Sequence, residues 1–409
     1  MPRLPTLLPL AGLLWVTAAT AGAQPAPSVF TLADALARAR ELAPQVEAAR
    51  ARAGAAAAAV DAAGRWRAPT LDLSVENLGP QALDHDGFVW LTQPLDVGPR
   101  RTTRLRLARS QNDVLQRDVD AQRRLRDVQV VDAYLAVASR RQVVDILETH
   151  AASLDELVTY VRLRVDRGVS PEGDLRKLEA ERARVVAARV RAALDMRQQV
   201  FTLSLLTRED AAGLEQRVQV PPMPTLPLPA NIDTAPDRRP EVAVASAQLR
   251  ERQSAAAFER AMGGTSLAVM GGYKRTAGFH TGTAGVSIDL PLGARNLPAR
   301  LRAEAEVTAA TLELERLREA VRLEMTAAVE AAQVLADQAR NAQSTMVAPA
   351  DVAVRAARAA FREGTGDVMA LVDAERVHLD TRREAHALQI DAVAATLRAR
   401  LALGDAPLP

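Results

Sequence analysis

The residues with chemistry to offer are few and scattered. The chain has five His residues, His85, His150, His280, His378 and His386, and no Cys. Without Cys there is no thiolate for zinc or an iron–sulfur cluster, no thiol nucleophile, no disulfide framework and no lipid anchor on an N-terminal Cys. No two His stand four apart, the spacing of a helical zinc site. Asp84–His85–Asp86 could hold a cation weakly, but the triplet reads better as a hydrated turn. The eight Met residues form no soft-metal cluster. No nucleophile elbow, phosphate loop or opposed pair of carboxylates emerges. The expectation is therefore a non-enzyme with no cofactor and no metal centre. Acids do gather beside two glycine turns. One is Gly168–Val169–Ser170–Pro171–Glu172–Gly173–Asp174; the other is Gly364–Thr365–Gly366–Asp367, with Asp373 just beyond. An acid there stabilises a helix N-terminus through its dipole.

Charge narrows the partners. The 52 basic and 50 acidic residues leave a net charge of +2. The signs alternate, as in Arg176–Lys177–Leu178–Glu179–Ala180–Glu181–Arg182, which is the pattern of a solvated, ion-paired helix face. The densest basic patch is Arg100, Arg101, Arg104, Arg106 and Arg109. No aromatic residue is interleaved with it, which argues against nucleic acid. Hydrophobic residues make up 48% of the 409 but aromatics only 3%. Ala-rich, Arg/Glu/Leu-rich sequence of this kind builds long helices.

The first segment is an address. Arg3, an apolar run from Leu7 to Val16 and Ala21–Gly22–Ala23 make a secretory signal peptide over 1–23. No later apolar stretch reaches the roughly 20 residues of a spanning helix. A membrane part, if there is one, must be built of strands.

The remainder repeats at an offset of 196 positions. Ala43–Pro44–Gln45–Val46 resembles Arg239–Pro240–Glu241–Val242, and Thr70–Leu71–Asp72–Leu73 falls on Ser266–Leu267–Ala268–Val269. We expect a first structural repeat over 24–220, a Pro-rich linker over 221–230, a second repeat over 231–405 and a tail over 406–409. Each repeat reads as a helix (about 31–66, then about 233–262), two short strands, a very long helix (about 98–167, then about 293–362) and a return helix (about 171–207, then about 365–404). Thr31 and Asp34 have capping-box spacing, and Asp233 offers a second helix start. Gly168 and Gly364 are expected to end the incoming helices in the left-handed conformation. Seventy residues of helix span roughly 105 Å. Leu147, Ala151, Leu154, Val158, Val161 and Val165 step by 4 and 3, the stripe of coiled packing.

The strands alternate. Leu71, Leu73 and Val75 interleave with Asp72, Ser74 and Glu76, and Val286, Ile288 and Leu290 with Ser287 and Asp289. One apolar and one polar face suit lipid outside and water inside. Pro94 and Pro291 are expected to end the second strand of each pair. Trp66, Phe88, Trp90, Tyr273 and Phe279 are expected to form an interfacial girdle. The competing arrangement is a soluble four-stranded sheet laid over the helices. Four strands cannot close a barrel, and each open edge would leave backbone groups unpaired in hydrocarbon. Membrane strands must therefore close with copies of the chain, and three copies would give twelve strands.

With those features assembled, the chain resembles the TolC-type outer-membrane efflux protein family. The resemblance rests on the leader, on Thr31–Leu32–Ala33–Asp34–Ala35–Leu36 followed by Ala43–Pro44, and on the duplicated order of parts. Val75–Glu76–Asn77–Leu78–Gly79 and Gln93–Pro94–Leu95–Asp96–Val97–Gly98–Pro99–Arg100–Arg101 with Arg104 are similar to the heavy-metal (CzcC-like and CusC-like) branch. The resemblance implies a mainly α fold with a small membrane β part. Its helices would form a trimeric periplasmic α-barrel, and four strands per protomer would join a 12-stranded transmembrane β-barrel in the outer membrane. It implies a passive homotrimeric conduit working with a periplasmic adaptor and an inner-membrane pump of the resistance–nodulation–division (RND) type, with heavy-metal cations as cargo. It makes the turns at Gly168, Ser170, Gly364 and Thr365 candidates for adaptor docking. It makes Asp373, with Asp367 and Asp174, candidates for acids at the pore entrance; Ala370 stands where a further acid is found in some members. Other cargoes, drugs or secreted polypeptide, fit the same architecture. A periplasmic coiled-coil adaptor is the rival from another class, but it would carry a single hairpin flanked by β-rich domains.

Overall fold

The computed structural model describes residues 29–76, 78, 85–225, 236–290 and 296–404. The expected leader at 1–23, Asp84, residues 226–230 of the expected linker, Asp233, Pro291 and the tail at 406–409 lie outside the described residues.

Helix α1 (Leu32–Glu41) begins at the anticipated box: Thr31 Oγ1 accepts from the Asp34 N–H at 3.2 Å, and the Asp34 carboxylate accepts from the Thr31 N–H at 2.9 Å. Such a cap contributes about 1 kcal/mol. The helix expected over 31–66 is broken. Ala43, just before Pro44, sits at φ −96°, ψ 88°, because a residue preceding proline is driven out of the helical region. Helix α2 (Pro44–Gly64) then leads into strands β1 (Thr70–Glu76) and β2 (Asp86–Leu95). Helix α3 (Arg100–Asp166) runs 67 residues, about 100 Å. Helix α4 (Glu172–Thr207) returns alongside it, and a short turn of helix, α5 (Leu214–Arg217), follows.

The second half repeats this order with α6 (Pro240–Met262), β3 (Ser266–Thr276), β4 (Phe279–Asp289), α7 (Leu297–Ala342), α8 (Ala348–Glu363) and α9 (Val368–Ala402). Pro44 and Pro240, Thr70 and Ser266, and Glu172 and Val368 open corresponding elements 196 positions apart. The single long helix expected over 293–362 is interrupted by a π-helical turn at Gln343–Val347. The cause is Pro349: it has no N–H for the carbonyl of Thr345, and the wider turn absorbs its ring. The Ser344 and Thr345 hydroxyls both donate to the carbonyl of Asn341, at 3.0 and 2.9 Å.

The four strands form one antiparallel sheet in the order β1-β2-β3-β4. Leu71 lies opposite Leu91, and Leu73 opposite Val89, which in turn faces Tyr273. One face therefore carries Leu71, Leu73, Val75, Val89, Leu91, Val269, Tyr273, Val286 and Ile288. All are exposed, Leu73 to 71%. No described helix packs on the sheet, so the arrangement with helices beneath it is not the one formed. Two expectations need correction. Phe88 and Trp90 stand opposite Ser74 and Asp72, on the polar face rather than in an apolar girdle. Pro94 does not end its strand, since pairing continues through Pro94 with Ala268 to Leu95 with Leu267. It is tolerated because β1 pairs only as far as Thr92, leaving β2 an edge at that point.

The helices bury their apolar stripes against one another in successive clusters. Phe30, Leu36, Tyr134, Leu203, Leu214 and Leu397 form one. Leu147, Leu154, Val161, Leu178, Phe361 and Leu371 form another, toward the hairpin turns. The predicted stripe of α3 is buried from Leu147 to Val161 and partly buried at Val165.

Candidate functional site

The basic patch is a strut between strands and helices. The Arg104 guanidinium donates to the carbonyls of Ala63 (3.0 Å) and Arg65 (3.1 Å) and forks onto Asp96 at 3.2 and 2.8 Å. Arg101 donates to the carbonyl of Gly64 at 3.0 and 2.6 Å. Arg100, buried, reaches the carbonyls of Ala261 and Met262 at the end of α6. These carbonyls lie at or just past helix C-termini, where positive charge is favoured by the dipole. Three arginines thus pin α2 and α6 to the start of α3, directly below the sheet.

At the far end lie the two turns. Gly168 (φ 72°) and Gly364 (φ 79°) both adopt the left-handed conformation. In each turn the next residue closes the same motif: Val169 N–H donates to Arg164 O at 2.8 Å, and Thr365 N–H to Ala360 O at 3.0 Å. The tips lie side by side, with the Tyr160 and Phe361 rings edge to face at 6.4 Å and Arg164 donating to the Phe361 carbonyl at 3.2 Å. Gly168, Gly364 and Thr365 are exposed and Ser170 is half-buried. Asp367 is the N-cap of α9 and accepts from Ala370 N–H at 2.8 Å. Asp174 lies in the first turn of α4, 3.7 Å from Lys177. Asp373 is exposed two turns into α9, on the side turned from Leu371 and Val372.

Beyond the tips is a node of buried charge. Glu375, fully buried, takes a core position on the α9 stripe, and Arg358 of α8 forks onto it at 2.6 and 2.9 Å. The neighbouring Arg376 donates to buried Glu181 of α4 at 2.9 and 2.6 Å, and Arg184 completes that carboxylate. Burial pushes the Glu181 carboxyl up, but the bonds from Arg184 and Arg376 outweigh it and hold it below its ordinary range. His150 of α3 faces Glu375, its Nδ1 3.7 Å from Oε2. Burial pushes the His150 imidazole down, against a weaker upward pull from Glu375. His378 Nε2 is hydrogen-bonded to Asp351 at 2.7 Å. Sequence spacing alone misses this node. Its available signals are Glu375 and His378, three apart on one helix face, and acids at core positions of an apolar stripe.

The fold defines a class: mainly helical with a small four-stranded sheet, it is the fold of the TolC-type outer-membrane channels. Residues 35–207 match the family described as Outer membrane efflux protein. Among curated relatives, the cobalt-zinc-cadmium resistance protein CzcC of Cupriavidus metallidurans is 24% identical over 293 residues, covering 71% of this chain and 70% of CzcC. Among solved structures, CusC superposes with a TM-score of 0.78 at 17% identity, covering 92% of each chain. The outer membrane protein VceC of Vibrio cholerae superposes with a TM-score of 0.76 at 19% identity, covering 91% of this chain and 96% of VceC. The family matched over residues 35–207 and the channel-type structural neighbours are non-enzymatic conduits.

Proposed function

We propose that the chain is the outer-membrane channel of a tripartite efflux system, a homotrimer that passes substrate from an RND pump and a periplasmic adaptor to the exterior. One observation carries this reading. Among the described residues β1 pairs only with β2 and β4 only with β3, and the apolar face of the sheet has no cover. In lipid such edges must meet the edges of further copies of the chain, and three copies would close a twelve-stranded barrel. The helices would then continue the passage as a periplasmic α-barrel, and the leader at 1–23 would export the chain. The division into repeats over 24–220 and 231–405 supplies each protomer with two hairpins at the mouth. There Asp373, aided by Asp367 and Asp174, would present converging carboxylates to cations, and the turns at Gly168, Ser170, Gly364 and Thr365 would receive the adaptor. Heavy-metal cations as cargo rest on the likeness to CzcC.

The test is to extract the protein from outer membranes in detergent, crosslink it and size it. A trimer is the expected result, and a water-soluble monomer overturns the channel. Cargo is tested separately by deleting the gene: sensitivity to cobalt, zinc or cadmium is expected, whereas sensitivity to drugs alone would move the protein to a drug conduit.

A further inference from the structure

We propose that His150, Glu375 and His378 form a binding site for a borderline divalent cation of the Zn2+, Co2+ and Ni2+ class, stapling α3 of the first hairpin to α9 of the second. One ligand atom from each of the three lies within 4.8 Å of the other two. His150 is 5% exposed and Glu375 0%.

Two orphaned atoms point to a ligand. His150 Nε2 and His378 Nδ1 are buried and have no hydrogen-bond partner. A buried polar atom left without a hydrogen bond costs about 1–3 kcal/mol, so the two call for an explanation. His378 has the arrangement that prepares an imidazole for a metal: its Nε2–H is held by the Asp351 carboxylate, which fixes the tautomer and leaves the Nδ1 lone pair free. Glu375–Arg376–Val377–His378 supplies a Glu-x-x-His pair from one helix face, as carboxylate-bridged metal sites in bundles do. His150 completes the set from the opposite helix. The His150 ring stands beside the carboxylate, its Nδ1 3.7 Å from Glu375 Oε2. Two imidazoles and a carboxylate, with no sulfur, select a borderline cation rather than a soft monovalent one.

The charges set the strength. Arg358 holds Glu375 and Arg382 holds Asp351 at 3.2 Å, so the acids are already balanced. The carboxylate has lone pairs to share between Arg358 and a cation, and Arg358, 28% exposed, can withdraw toward solvent. Arg358 therefore weakens the site without closing it. The site lies within one protomer and is independent of which cargo the channel carries.

The experiment uses the full chain in detergent, stripped of metal and dialysed against Zn2+, with Co2+ as a spectroscopic probe. One cation per chain is expected, with a Co2+ absorption band of low-coordinate type. His150→Ala and His378→Gln should each weaken binding by at least about 100-fold, and Asp351→Asn, which only orients His378, by about 10–100-fold. Arg358→Gln should tighten it by about tenfold or more, an effect opposite in sign to that of a purely structural lesion. His280→Ala, at the exposed sheet, should change nothing. Absence of binding by the unmutated chain at millimolar free Zn2+ overturns the proposal. So does binding that survives in His378→Gln and Asp351→Asn while both remain folded and oligomeric.

Discussion

Glu181 and His386 show how single buried groups tie the hairpins together and make their union sensitive to acid. Glu181 is held below its ordinary range, so the stability it contributes is present above its unfolded value near 4.5 and is lost as pH falls through the lowered folded value. His386 donates toward Ser139 O at 3.2 Å, and its burial lowers its affinity for a proton. The unfolded chain therefore binds a proton that the folded chain refuses. Stability declines as pH drops below about 6.5 and keeps declining until the lowered folded value is reached. Thermal melts of the detergent-solubilised protein should fall in two stages, first below about pH 6.5 and again below about 4.5. His386→Gln should shrink the first stage, to which buried His150 also contributes, and an unchanged melt profile in that variant would refute its role. At the tips, Gly364→Ala places a Cβ on a φ of 79° and should cost about 1 kcal/mol in chemical denaturation, with Gly168→Ala similar.

Elements show where local signals sufficed and where they did not. The helix starts, the heptad stripe and the strand alternation are properties of neighbouring residues, and Thr31, Leu147–Val161 and Leu71–Val75 behave as their spacing says. The π turn before Pro349 was equally local, but a single Pro inside a long apolar pattern can kink, end or merely widen a helix. The faces of Phe88 and Trp90 required the cross-strand register, which no single strand contains. The node around Glu375 required α3, α4, α8 and α9 to be brought together, so its members were invisible as a motif. Arg100, Arg101 and Arg104 were visible as a cluster, but their partners, the last carbonyls of α2 and α6, are backbone atoms without a sequence signature. The sheet offers its own test at Gly272. A Cβ there would meet the Trp90 ring at 2.6 Å and the Val89 carbonyl at 2.7 Å, and the carbonyl cannot step aside without breaking the ladder. Gly272→Ala should reduce the yield of assembled protein in the outer membrane, while Gly271→Ala, with open space at its Cβ, should not. Equal yields from the two would contradict the packing of Trp90 on β3.

For the whole molecule, the described sheet ends at opposite sides in two strands, β1 and β4, each without a partner along its outer edge, one belonging to each half of the chain. Joining β1 of one copy to β4 of the next is a head-to-tail contact, and such contacts close only when the rotation between copies is right. Arg104→Met should disturb that rotation, because it releases α2 and Asp96 from the start of α3 together. The expected outcome is a loss of the crosslinked oligomer with helical content retained by circular dichroism; a variant that assembles normally would show that the strut does not set the angle between sheet and rods.

The same raw margins carry a hazard. A ring satisfies every seam, but a slightly wrong pitch turns the identical handshake into an endless filament. In the proposed assembly newly made copies race between closure and polymerisation, and crowding them before they reach a bilayer favours the losing outcome. Overproduction in the absence of membrane should yield fibrous deposits rather than dispersed single molecules, and cutting back the Lys- and Tyr-bearing β3–β4 hairpin should suppress them.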